Sequence, residues 1–107
     1  MNERIVNCKD LKIYVREWLV NKEDCQANIL FIHGLGEHCS RYHKYFLKFN
    51  EHGIGVLSFD LPGHGQTLKI NSGTTMGYLT LRQVLDILDS LYDLLLPTTV
   101  PIILVHK

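Results

Sequence analysis

Four consecutive apolar residues, Ile29-Leu30-Phe31-Ile32, run directly into His33-Gly34-Leu35-Gly36-Glu37-His38. A strand that is apolar on both faces belongs in the middle of a parallel sheet, and such a sheet needs helices on both sides. The glycines then have a physical purpose. A strand that turns abruptly into a loop needs residues tolerant of unusual φ and ψ, and without side chains the backbone N–H groups can approach a ligand oxygen. The pair of features predicts an α/β architecture with chemistry at the carboxyl end of this strand.

The rest of the chain fits that frame. Leu11, Ile13 and Val15 alternate with Lys12, Tyr14 and Arg16, the period of a half-buried strand, and Arg4–Val6 supplies a partner across a turn at Asn7–Asp10. After the polar loop Asn21–Asn28 and the central strand, a helix is predicted from about Ser40, its cap, to His52, with Gly53 past its end. Tyr42, Phe46 and Phe49 recur at helical spacing as its core stripe. Ile54–Phe59 is a second buried strand ending at Asp60, and Leu61-Pro62-Gly63-His64-Gly65 is a turn-rich exit from the sheet. From Thr80 to Leu96 a second helix places Leu81, Val84, Leu85, Leu88, Leu91 and Leu95 on one face, and Pro97 stops it. Ile102–Val105 is a third apolar strand. The order is hairpin followed by βαβαβ, a mostly parallel and right-handed sheet. Its last strand has neither a following helix nor a further strand, an aggregation liability, so either another chain covers the open edge or something is missing, and poor solubility or self-association is expected.

A length of 107 residues allows one domain. Eleven Lys+Arg balance eleven Asp+Glu, which removes the basic field that non-specific nucleic-acid binding requires. No apolar run reaches the length of a membrane span, and Met1–Asp10 carries charges where a signal peptide would be apolar. Cys8, Cys25 and Cys39 are odd in number and form no CxxC pair, so free thiols in a reducing cytoplasm are expected. No metal site is expected, because the six histidines lack converging Cys, Asp or Glu partners.

Two chemistries use a strand-to-glycine loop of this kind. In one, GxGxxG cradles a dinucleotide pyrophosphate and a downstream acid holds the ribose. Gly34, Gly36 and Asp60 fit that pattern, but Cys39 occupies the third glycine position. In the other, a loop amide forms half of an oxyanion hole, a reading that also uses His33 and gives a place to the second glycine turn Gly63-His64-Gly65.

The stretch HGLGEHCSRY (His33 to Tyr42), followed by SFDLPGHGQT (Ser58 to Thr67), resembles the amino-terminal part of an α/β-hydrolase of the monoacylglycerol lipase and lysophospholipase type, a family also labelled serine aminopeptidase-like. The resemblance covers about Ile29 to Val105. It implies a Ser-His-Asp hydrolase of lipid-like acyl esters, without metal or organic cofactor, cytoplasmic and peripheral at a membrane or lipid droplet. It makes the backbone N–H of Leu35 an oxyanion donor, with His33, Gly34 and Gly36 shaping the loop. It also places the nucleophile in Gly-x-Ser-x-Gly after Ile102–Val105, with the acid and histidine later. His106 and Lys107 stand where the elbow would begin, and the whole triad is absent, so the chain reads as a partial domain, inactive alone. Ser40, Ser58, Ser72 and Ser90 lack the flanking glycines of an elbow.

Among the residues present, Cys39 beside His38 and His43 is the one nucleophile arrangement to weigh, since a helix N-terminus would lower its pKa. The plainer reading makes Cys39 a packing residue, has His33 and His64 order their loops, lets Asp60 fix the following turn, and pairs Glu37 with Arg41. Two non-hydrolytic alternatives stand beside the hydrolase: an interaction protein that uses the open sheet edge, and a dinucleotide-binding half-domain.

Overall fold

The alternation at the start of the chain does form a hairpin. In a computed structural model, which describes residues 1–71 and 79–107, β1 (Asn2–Cys8) pairs antiparallel with β2 (Leu11–Trp18), in register from Asn2↔Glu17 to Cys8↔Leu11. β3 (Ala27–Ile32) lies parallel to β4 (Ile54–Phe59) on one side and to β5 (Ile102–His106) on the other. β2 and β4 are antiparallel, which gives a mixed five-stranded sheet in the order β1-β2-β4-β3-β5.

Why β3 and β4 are apolar on both faces follows from what covers them. Leu30, Leu57 and Phe59 point to one face, where they pack with Ile13 and Val15 of β2 and with Ile87, Leu91 and Leu95 of α3 (Leu81–Leu95). Their neighbours Ile29 and Val56 point to the other face, against Trp18 and Phe46 of α1 (His43–Glu51). Two small cores on opposite sides of one sheet are the result, each formed by alternate residues of the same strands.

Four details differ from the sequence expectation. The first helix does not start on a Ser40 cap: Cys39–Tyr42 is a turn of 3-10 helix, Cys39 goes into the core, and the Ser40 hydroxyl accepts from Arg16. Phe49 leaves the aromatic stripe and is 39% exposed, while Tyr42 and Phe46 stay packed against Phe31. A short helix, α2 (Gly65–Ile70), occupies the segment read only as a turn-rich exit. In α3 the buried face runs through Ile87, Leu91 and Leu95, while Leu81 and Leu85 face outward. Thr80 begins α3 with a capping box, its hydroxyl accepting from the Gln83 amide and the Gln83 side chain accepting from the Thr80 amide. Gly53 ends α1 with φ at 75°, and Ser72 lies outside the described residues.

Candidate oxyanion-hole loop

The carboxyl ends of β3 and β4 lie side by side, with Ile32 opposite Phe59, so the loops that follow must share space. His33 and Asp60 are the first residues beyond the two strands, and both are buried. Burying a polar side chain is tolerable only if its atoms are hydrogen-bonded, and here each is used to tie one loop to the other.

Asp60 is the main tie. One carboxylate oxygen accepts from the Cys39 amide at 2.7 Å and the other from the Gln66 amide at 2.8 Å, joining the loop after β3 to the start of α2. Its carbonyl accepts from the Thr67 hydroxyl at 2.7 Å, and Thr67 in turn accepts from the Tyr14 amide of β2 at 3.0 Å. Gly65 has φ at 48°, and a Cβ there would strike the Asp60 carboxylate, which is why a glycine stands at this approach.

Two histidines complete the brace. His33 Nε2 accepts from the Leu61 amide at 3.0 Å, so the ring proton sits on Nδ1 and is given to the Gly34 carbonyl at 2.7 Å. Burial lowers the His33 pKa, in keeping with the neutral ring this bonding needs. His64 Nε2 accepts from the Gly36 amide at 3.0 Å, with the two rings 5.2 Å apart.

Glu37 holds the glycine loop from the inside. Its Oε1 accepts from the Gly34 amide at 2.8 Å, while its own amide donates to the Gly34 carbonyl at 3.1 Å. That bond closes a four-residue turn with Gly36 at its third position and φ at 80°, as a type II turn requires. The carboxylate also meets the Tyr42 hydroxyl at 2.9 Å, Arg41 Nε at 3.1 Å and Lys107 Nζ at 2.9 Å. Lys107, then Tyr42 and the Gly34 amide, hold its pKa down to about 2. The Arg41 pairing was legible from spacing; Lys107, seventy positions away in sequence, was not.

The consequence falls on Leu35. The amides of Gly34, Gly36 and Glu37 are all taken, whereas among the described residues the Leu35 amide has no partner. The residue is 78% exposed in this turn. The loop is therefore braced on both sides of the unpartnered Leu35 N–H, beside the carboxyl end of a central strand.

Other candidates resolve differently. Burial and the Asp60 carboxylate push the Cys39 thiol pKa up, the opposite of what a nucleophile needs, and His43 is engaged by the Trp18 indole at 2.8 Å. A dinucleotide would require Asp60 for its ribose, but both oxygens of that buried carboxylate are occupied. Each described serine hydroxyl bonds a group other than histidine: Ser40 accepts from Arg16, Ser58 donates to the Phe31 carbonyl, and Ser90 donates to the Asp86 carbonyl. Among the described residues no cluster of His, Cys, Asp and Glu is set to hold a metal, and no helix is long and apolar enough to cross a membrane.

The serine aminopeptidase S33 family profile matches residues 23–106, which is most of the chain and includes both braced loops. The chain belongs to this serine aminopeptidase family. A candidate monoglyceride lipase of Schizosaccharomyces pombe is 39% identical over 57 residues, covering 53% of the chain and 15% of that protein. An uncharacterized abhydrolase domain-containing protein of Dictyostelium discoideum is 54% identical over 39 residues, 36% of the chain and 4% of its own length. Among solved structures, a soluble variant of monoglyceride lipase from Saccharomyces cerevisiae aligns over 99% of the chain with a TM-score of 0.79 at 19% identity. A carboxyl esterase from Bacillus coagulans aligns over 96% with a TM-score of 0.75 at 24% identity. These likenesses establish the α/β-hydrolase fold. The chain spans 34% of each of those two structures and a smaller share of the two curated relatives. Within the serine aminopeptidase fold it forms an amino-terminal part.

Proposed function

We propose that these residues are the oxyanion-hole portion of a serine hydrolase that cleaves lipid-like acyl esters of the monoacylglycerol type. The observation that carries this reading is the unpartnered Leu35 amide in a turn whose Gly34, Gly36 and Glu37 amides are all committed. A donor fixed before reaction, aimed where negative charge develops on the ester carbonyl oxygen, stabilises a tetrahedral intermediate without reorganising. A serine in Gly-x-Ser-x-Gly attacks the carbonyl, histidine takes its proton and returns it to the leaving alcohol, and Leu35 N–H holds the oxyanion. His33, Gly34 and Gly36 shape the loop and move no proton, since His33 is buried and fully bonded. No metal or organic cofactor takes part in that sequence. With no serine elbow within the 107 residues, the chain alone is inactive. The membrane or lipid-droplet surface facing the cytoplasm is where such esters are presented, and the balanced charge of the chain gives no support for a nucleic-acid partner.

The test is the protein in its source cells, captured by antibody, weighed intact, treated with a serine-directed fluorophosphonate and assayed on monoacylglycerol. A product heavier than 12.3 kDa that labels and hydrolyses the ester is expected. A heavier product that does neither, or a 12.3 kDa product that does either, overturns the reading.

A further inference from the structure

We propose that His33 and His64 form a clamp that holds the loops after β3 and β4 together while both rings are neutral, and that releases them as one unit when the rings take up protons. The bonds run reciprocally between the loops. His33, after β3, accepts at Nε2 from the Leu61 amide after β4, and His64, after β4, accepts at Nε2 from the Gly36 amide after β3. An amide N–H can only donate, so Nε2 of each ring carries no proton and the ring N–H sits at Nδ1. There His33 donates to the Gly34 carbonyl at 2.7 Å and His64 to the Pro62 carbonyl at 3.0 Å. Each ring thus binds its own loop through Nδ1 and the other loop through Nε2.

A proton added to either ring must go to Nε2, the nitrogen that holds the other loop. It sets N–H against N–H and turns a bond between the loops into a repulsion. The ring centroids are 5.2 Å apart, so while the loops stay closed a charge on one ring also opposes a charge on the other. Opening the loops relieves both conflicts and brings water to the remaining ring. The second proton therefore follows the first, and the pair responds to pH as one device.

The surroundings set the pH window. Burial lowers the His33 pKa from its ordinary 6.5 and His64 acts in the same direction, while the Gly34 carbonyl and the Asp60 and Glu37 carboxylates favour the charged ring without reversing the shift. Other titratable groups at this end of the sheet are His38, whose Cβ approaches Gly65, and on the β5 side His106, opposite Ile32, and Lys107, on Glu37. Because the closed form favours the neutral His33 ring, the open form binds the proton first as pH falls. The clamp is fully present above pH 6.5 and is lost below it. That window lies above the one in which Glu37 loses its charge, since the Glu37 pKa is held down to about 2. Release frees the loop that carries Leu35, so turnover of the proposed hydrolase falls in the same window; that consequence rests on the oxyanion-hole reading, and the clamp itself does not.

Imidazole nitrogen NMR spectra of the 107-residue chain between pH 8 and pH 5 test this, with hydrogen-exchange protection of the Gly36 and Leu61 amides followed in the same samples. At pH 8 both rings are expected as the Nδ1–H tautomer. On acidification they titrate in one transition steeper than that of a single group, and protection of both amides falls about tenfold, the loss of one hydrogen bond each. His64→Gln offers the Gly36 amide a side-chain oxygen that does not titrate. His33 then titrates with the width of a single group, and of the two amides Leu61 alone loses protection. An Nε2–H tautomer on either ring at pH 8, two separate titrations in the wild type, or amides that stay protected after the rings are charged would each overturn the proposal. The wild-type spectra decide it even where the variant does not fold. None of these readouts involves ester hydrolysis, so the clamp stands or falls apart from the proposed function.

Discussion

Gly34 and Glu37 bond each other twice: the Gly34 amide donates to the Glu37 carboxylate at 2.8 Å, and the Glu37 amide donates to the Gly34 carbonyl at 3.1 Å. One acidic side chain thereby fixes the turn in which the Leu35 N–H is left without a partner among the described residues. It does so while drawing Lys107 and Tyr42 onto the same carboxylate, which links the end of β5 to the loop after β3.

That carboxylate gives the loop an acid-sensitive lock. The folded-state pKa of Glu37, about 2, lies below the ordinary value of 4.5, so the unfolded chain binds the proton first as pH falls. The contribution is fully present above pH 4.5 and is lost as pH falls toward 2. Urea unfolding of wild type and Glu37→Gln between pH 7 and pH 2 should show wild type more stable at neutral pH, with the difference closing below about pH 4.5. A difference that stays constant down to pH 2 would contradict the lock.

Two glycines in neighbouring turns should respond differently to alanine. At Gly36 a Cβ would have no neighbouring atom within 4 Å, so Gly36→Ala costs only the strain of its positive φ, about 1 kcal/mol. At Gly65 the same change adds a collision with the Asp60 carboxylate, the tie between both loops, and should cost about 1–3 kcal/mol. Thermal unfolding of the two variants checks the order, and an equal loss at both positions would refute it.

Trp18 is the sole tryptophan and packs edge-on against Phe46 at 4.7 Å, so its fluorescence reports on the core under α1. Phe46→Ala should cost about 3–5 kcal/mol and shift the emission to the red. Phe49→Ala, at a half-exposed position, should cost less than about 1 kcal/mol and leave the emission unchanged.

The three thiols should separate by reactivity. Cys39 is fully buried with a raised pKa, whereas Cys8 and Cys25 are partly accessible. Ellman titration of the native chain should modify Cys8 and Cys25 first, with Cys39 reacting only on unfolding. Fast reaction of Cys39 in the folded state would revive it as a nucleophile.

What could be read in the sequence follows the reach of each interaction. The hairpin, the two-faced strands and the long helix came from periodicities of two and 3.6, which are local and repeat many times. Leu81 and Leu85 misled because the apolar stripe of α3 is wider than the surface available to it. Leu85 lies on the flank with Tyr92, and Ile87 takes the inner line. α2 was missed because Pro62, Gly63 and Gly65 signal a turn, and its anchor, Thr67, is held by Asp60 and Tyr14 across the sheet. In the site, glycine spacing located the loop and Glu37 with Arg41 was four residues apart. The links of Asp60 to Cys39, His64 to Gly36 and Lys107 to Glu37 join segments twenty-one to seventy positions apart and leave no mark in local pattern.

The central claim is that the Leu35 amide, and not its side chain, serves the chemistry. In the longer hydrolase proposed above, kcat for monoacylglycerol hydrolysis should be measured for Leu35→Pro and Leu35→Ala. Leu35 is the second residue of a type II turn, a place proline favours, so Leu35→Pro removes the N–H while keeping the turn. The account predicts a fall of about 10²–10³ in kcat for Leu35→Pro and wild-type kcat for Leu35→Ala, with both variants as stable as wild type. Unchanged turnover in a folded Leu35→Pro enzyme would contradict it.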